Sequence, residues 1–293
     1  MRISTAFQYS QYTAGIQSTQ QTLYNDQQQV ETGKKINQPS DDPVGTSTIM
    51  SVSALKSAQT QYGTNLNTAT GWLGETDNAL SSTSNIVQSA YSLALQGASD
   101  TTTQQQRQSM ASQISQYEAS LLNIANSKSP TGSYLFAGQM TKTQPFTVAG
   151  STLTYNGDTG SVMVEASANQ TINVNTPGTP LLSNVYNQLE SLRQNLLNND
   201  QTAITNTDVG NMQSSLSAIT MERGNVGAKM DTVKNLTADY TRRNNDLSTQ
   251  ISNVQDVNMA QAITDYQLAN SAYQAALTVT SQGFGLSLAN FIK

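Results

Sequence analysis

Few residues in this chain could do chemistry. It has no His and no Cys, which removes thiol nucleophiles, Cys/His zinc sites and any His-based triad or general base. The closest pair of acids worth testing is Asp41-Asp42, within Ser40-Asp-Asp-Pro43-Val-Gly45. Paired carboxylates can run acid–base catalysis, but Pro43 argues for another role. Proline at a first helical position costs no hydrogen bond and biases the residue before it toward extended geometry. That is the geometry of an N-cap, so Asp42 is expected to cap a helix with its carboxylate and to favour the helix dipole. Gly283-Phe-Gly285 lacks both a third glycine and a preceding strand, so it does not make a dinucleotide loop. No glycine run leads into a Walker-type Lys-Ser/Thr, and the acids never fall at EF-hand spacing. The sequence nominates no catalytic centre, no cofactor and no metal, and the expectation is a protein that is not an enzyme.

Composition points the same way. Of 293 residues, 130 are Ser, Thr, Asn or Gln, while only 11% are charged, under half the usual share. Fourteen basic residues against 19 acidic ones give a net charge of −5, leaving no basic field for nucleic-acid phosphates. The longest uncharged stretch, Tyr266 to Ile292, is long enough to span a bilayer but carries Gln267, Asn270, Gln274, Gln282 and Asn290, too polar for lipid. No membrane insertion is expected. The first residues hold no apolar run of signal-peptide length. Both a cytosolic chain and one exported without a cleaved signal fit.

The rest of the sequence reads as helices packed along narrow seams. Apolar residues recur at alternating steps of three and four. One run is Leu55, Tyr62, Leu66, Ala69, Leu73, Thr76, Leu80, Thr83, Val87 and Ala90; others are Met110–Ile124 and Leu182–Leu196. The longest runs from Leu216 through Ile219, Arg223, Val226, Met230, Val233 and Tyr240 to Asn258. Gly224 and Gly227 fall inside it and weaken the case for an unbroken helix. Past Asn258 the phase slips to Ala262, Tyr266, Ala269, Tyr273 and Ala276, which marks a boundary between two helical segments. Near the start, Ile16, Leu23 and Val30 repeat every seven residues.

Residues 133–180 break this pattern with clustered Gly and Pro. Thr152–Tyr155 and Ser161–Glu165 around Asn156-Gly-Asp-Thr-Gly160 predict a hairpin, and Thr171–Asn175 a further strand. The expected fold is mainly α: long nested coiled-coil helices with the N- and C-terminal helices paired, plus a small inserted β domain. The expected divisions are 1–40 with 252–293 as a terminal helical core, 41–132 with 181–251 as a helical rod, and 133–180 as a β-rich outer domain.

The two ends are conspicuously uncharged. Residues 1–30 hold only Arg2 and Asp26, and 257–293 only Asp265 and Lys293. A solvated helix normally carries charge on its outer face, and these have only partial apolar stripes. Ordering a residue's backbone costs about 1–2 kcal/mol, so such ends are expected to fold fully only against neighbouring copies. Ile16, Leu23, Val30, Tyr266, Ala269, Tyr273, Ala276, Phe284, Leu288 and Phe291 form the expected assembly interface. The same side chains would also serve as the core of a hairpin within one chain, and the two roles are compatible.

Several motifs resemble the bacterial flagellin superfamily. Thr32-Gly-Lys-Lys-Ile-Asn37 running into Pro39-Ser-Asp-Asp-Pro-Val-Gly45 is similar to its N-terminal signature, with Asp41, Asp42 and Pro43 at the turn. Arg223-Gly-Asn-Val-Gly-Ala228 resembles the region before its long returning helix, and Val254-Gln-Asp-Val-Asn258 its C-terminal joint. Pro-Ser-Asp-Asp-Pro-Val-Gly, Gly132-Ser-Tyr-Leu-Phe-Ala-Gly138, Tyr155-Asn-Gly-Asp158 and the closing Gly285-Leu-Ser-Leu-Ala-Asn-Phe291 resemble its hook–filament junction members more than filament-forming flagellins. Ala289 and Phe291 depart from the junction members' usual ending. The resemblance implies an extracellular structural protein of the flagellum, exported without a cleaved signal and assembled in a ring or tube. Its implied partners are the adjoining hook-associated protein, flagellin, and an export chaperone at the C-terminal segment. A flagellin or minor flagellin is the alternative the same architecture allows.

Overall fold

A computed structural model describes residues 5–150 and 152–291, with the side chains of 5, 6, 8 and 283–291 left undescribed. In chain order the elements are α1 (Thr5–Thr32), α2 (Pro43–Gly97), α3 (Gln104–Ala125), strands β1 (Phe146–Ala149), β2 (Thr152–Tyr155), β3 (Met163–Ser167) and β4 (Gln170–Asn173), then α4 (Leu181–Leu197). A single turn α5 (Gln201–Ala203) and a π-helical turn (Ile204–Asp208) lead into α6 (Val209–Gln255), and α7 (Met259–Phe291) closes the chain. The architecture is mainly α with a small β region, as the seams and the Gly/Pro segment predict. The chain forms two compact units, residues 1–58 with 243–293, and residues 59–242. Both α2 and α6 run through the division.

The second unit holds the hydrophobic core. Leu66, Leu73, Leu80 and Val87 of α2, Ile114 and Leu121 of α3, Leu182, Leu189, Leu192 and Leu196 of α4, and Ile219, Val226 and Val233 of α6 belong to one buried cluster. Each repeats at helical spacing, so each helix turns one stripe inward. Polar seam positions are satisfied locally. The buried hydroxyls of Thr76 and Thr83 donate to Trp72 O and Ala79 O at 2.9 Å, and Arg223 reaches Asp77 of α2 at 2.8 Å. The α6 helix is unbroken across Gly224 and Gly227. Leu55, expected on the inward seam, is instead 57% exposed; the buried cluster begins on α2 only at Leu66. At one end, the buried Arg107 guanidinium donates to Gly97 O, Ser99 O and Asn199 Oδ1 at 2.7–3.0 Å. It thereby ties the α2–α3 turn to the turn after α4.

The β region departs from the expected pairing. β2 pairs with β1, Phe146 opposite Tyr155, and β3 pairs with β4, so Thr152–Tyr155 and Ser161–Glu165 are not partners. Two local features decide this. Gly150, at φ +65°, supplies a tight turn between β1 and β2, and Asp158 fixes the segment expected to be the turn. Its Oδ1 accepts from Gln139 N at 2.6 Å and Gly160 N at 3.0 Å. Asn156 N donates to Pro145 O at 2.8 Å. The hairpins are fastened to the helices by side chains. Asn126, just past α3, exchanges two 3.0 Å bonds with the Phe146 backbone, Asn65 donates to Glu165 O at 3.1 Å, and Tyr240 donates to Ala166 O.

Candidate assembly interface

In the first unit α1 and α7 pack against each other. Ile16, Leu23 and Val30 are the half-buried residues of α1's heptad stripe, while on α7 Ala262 and Ala269 are buried and Tyr266, Tyr273 and Ala276 half-buried. The predicted interface positions with described side chains therefore face the partner helix of the same chain. The side chains of Phe284, Leu288 and Phe291 lie outside the described residues, although their backbone belongs to α7. The burial is thin. Not one described residue of α1 is fully buried across 28 residues, whereas α4 buries six across 17. At roughly 25 cal/mol per Å² of apolar surface removed from water, so narrow a seam does little against the entropy of ordering two long helices.

A second set of apolar residues, which the seven-residue spacing did not select, faces outward. Phe7, Tyr9, Tyr12 and Tyr24 on α1 are exposed, as are Met259, Ile263, Leu268, Leu277 and Val279 on α7. Phe7 is 55% exposed and Leu268 71%. Monomeric proteins rarely leave rows of this kind uncovered. The signal was present in the sequence as apolar residues off the seam, but a single-stripe reading discards them. Charge is scarce and of one sign: α1 and α7 contain Asp26, Glu31 and Asp265 and no Lys or Arg. Partial desolvation, then the neighbouring Asp265 charge, pushes the Asp26 carboxyl above its usual value. The hairpin thus holds a like-charge pair that nothing in its own two helices neutralises.

The connections at the base of the hairpin are built with more care. α1 ends at Gly33, in the left-handed region at φ +71° with its N–H on Gln29 O at 2.9 Å, as helix C-termini often end. The next residues pair with the break between α6 and α7: Lys35 N donates to Gln255 O at 2.8 Å, and Val257 N to Gly33 O at 3.0 Å. The phase slip read near Asn258 is therefore a real interruption. Asn258 Oδ1 then accepts from Ala260 N at 3.1 Å, capping α7. On the other strand Asp41 Oδ2 accepts from Asn37 N and Gln38 N at 2.9 and 3.0 Å. These backbone bonds hold its carboxyl below the usual range. Asp42 Oδ1 accepts from Val44 N and Gly45 N at 3.1 and 2.9 Å, and Pro43 is the first residue of α2. A Cβ on Gly45 would lie 2.6 Å from Ile36 Cδ1 and 2.4 Å from Asp42 Oδ2, so glycine lets both side chains pack close against the start of α2. Asp42 caps α2, whereas Asp41 closes the turn before it by accepting from the preceding backbone. Asp42→Ala is expected to cost about 1 kcal/mol and Asp42→Asn almost nothing, read as urea midpoints of the two variants.

Among the described residues no group of three His, Cys, Asp or Glu could hold a metal ion, and no helix is long and apolar enough to cross a membrane. What the site can do is pack against other helices.

Known proteins share this arrangement. Residues 3–141 match the bacterial flagellin N-terminal helical region. The chain is similar over 98% of its own length and 98% of the relative's to flagellar hook-associated protein 3 of Salmonella typhimurium, at 26% identity. Two solved structures share the fold. A flagellar hook-associated protein of Vibrio parahaemolyticus has a TM-score of 0.69 at 18% identity, covering 74% of this chain and 100% of that one. Bacillus cereus FlgL has a TM-score of 0.62 at 22% identity, covering 69% and 99%. The relatives are named as flagellar proteins, not as enzymes.

Proposed function

We propose that this chain is a structural subunit of the bacterial flagellum that forms the hook–filament junction. It polymerises as a ring through the α1–α7 hairpin, between the adjoining hook-associated protein and flagellin. The observation that carries the reading is the hairpin itself: thinly buried, nearly uncharged and lined on its outer sides by uncovered aromatic and aliphatic residues. Side-by-side copies would cover those rows and supply the burial that one chain lacks. Full-length likeness to hook-associated protein 3 supports the position within the flagellum. The chain does its work by packing and carries out no reaction. It is exported without a cleaved signal, and a chaperone shields the apolar C-terminal segment before export.

A strain lacking this chain is expected to keep intact hooks while unpolymerised flagellin accumulates in the medium, seen by electron microscopy and by protein staining of the supernatant. The alternative, a flagellin or minor flagellin, predicts loss of the main secreted flagellin band instead. That outcome would overturn the junction reading.

A further inference from the structure

The seam between α3 and α4 contains three charged side chains among apolar ones. Glu118 of α3 is only 7% exposed, on the same stripe as the buried Ile114 and Leu121. Its Oε2 lies 3.3 Å from Arg193 Nε on α4, while its Oε1 is buried with no hydrogen-bond partner. Arg193 is shared. Its Nε and Nη2 also donate to Glu190 Oε2 at 2.9 and 2.6 Å, and Gln194 donates to Glu190 Oε1 at 2.9 Å. Tyr186 of α4 is the remaining titratable group beside them. Two carboxylates therefore compete for one guanidinium, and the more deeply buried has an oxygen that no donor reaches. An ionised oxygen left unpaired is costly to bury, whereas a protonated one becomes a donor itself.

We propose that Glu118 and Glu190 hold a single proton between them beside Arg193, so that the α3–α4 contact is a pH-responsive lock, tight while the proton is present and loosened when it leaves. The proton resides on Glu118. Burial first, and then the Glu190 charge, push its carboxyl up to about 7 despite the pull of Arg193. Glu190 is desolvated too, but hydrogen bonds from Arg193 and Gln194 outweigh this and keep it below its usual value. Burial and the two glutamates push the Tyr186 hydroxyl up, so it stays protonated throughout. The direction follows from linkage. Between the ordinary glutamate value and about 7 the folded chain keeps a proton that the unfolded chain has released. Stability from this site is full below that window, falls as pH rises through it, and is gone above it.

The test is urea unfolding of the full-length chain by circular dichroism from pH 5 to 8.5. Wild type is expected to lose about 0.5 M in midpoint between pH 5 and 7.5 from this site. Because Asp26 and Asp208 also have raised carboxyls, the readout is the difference between wild type and Glu118→Gln at each pH. That difference should shift toward the variant as pH rises and level off above about 7.5. Glu190→Gln removes the repelling charge and leaves Arg193 to Glu118, so it should move the remaining transition to lower pH. A wild-type-minus-Glu118→Gln difference that does not vary with pH overturns the proposal. So does a Glu190→Gln transition that stays in place or moves to higher pH.

Discussion

Ala269→Asp is expected to abolish incorporation into the flagellum while residues 59–242 remain folded. Ala269 is buried on the side of α7 that meets α1, so the new carboxylate would sit between two helices. It would also lie one helical turn from Asp265, a repulsive i,i+4 spacing, in a hairpin that has no Lys or Arg in either helix. An unpaired, partly desolvated charge costs about 2–4 kcal/mol here, more than so thinly buried a pair can spare. Leu23→Asp should act alike from the other helix, and Ala269→Ser should be tolerated. Complementation of a strain lacking the chain reads out assembly. Hydrogen exchange on the purified variant reads out the fold, with 5–32 and 259–282 little protected, as in the lone wild-type chain, and protection kept in α4 and the middle of α6. Global unfolding of the variant would make Ala269 ordinary core, and normal filaments would dismiss the hairpin as the assembly element.

How far the sequence reaches can be judged from that same hairpin. The seven-residue repeat of Ile16, Leu23 and Val30 and the shifted stripe from Ala262 to Ala276 located the surfaces the helices turn to each other, because burial in a coiled coil writes directly into spacing. The turn at Asp42-Pro43 was equally legible, since capping and the proline effect act within three residues. The outward rows were not, because an apolar residue off the seam has no period that marks it for a neighbour. Leu55 misled for a related reason: it keeps the helical spacing of the seam, but spacing cannot say where the covering elements stop. The Glu118–Glu190–Arg193 cluster was invisible as well. Glu190 and Arg193 are a common i,i+3 pair in sequence, and only the tertiary meeting of α3 and α4 adds the second carboxylate. Strand pairing failed at Asp158, where a side chain captured the loop that a pattern of turn residues had assigned to a hairpin.

That capture yields the second large expected effect: Gly138→Val should unfold the β region locally, at a cost of about 3 kcal/mol or more. Gly138 is in the left-handed region at φ +68°, which a β-branched residue resists. A Cβ there would also lie 2.0 Å from Asp158 Oδ1 and 2.2 Å from Asp158 O. The second of those atoms is backbone and cannot rotate aside. To admit the side chain the 156–160 segment must leave, and with it go the Asp158 bonds to Gln139 N and Gly160 N and the Tyr155 hydroxyl bond to Asp158 O at 2.7 Å. Gly150 separates conformation from crowding, because it has nearly the same φ, +65°, but nothing within 4 Å of its Cβ position. Gly150→Asn should therefore cost under about 1 kcal/mol, asparagine being tolerant of the left-handed region. Limited proteolysis should cut Gly138→Val within 139–161 and leave Gly150→Asn and wild type intact. Equal resistance of all three chains would mean that the Asp158 loop does not hold the β region together.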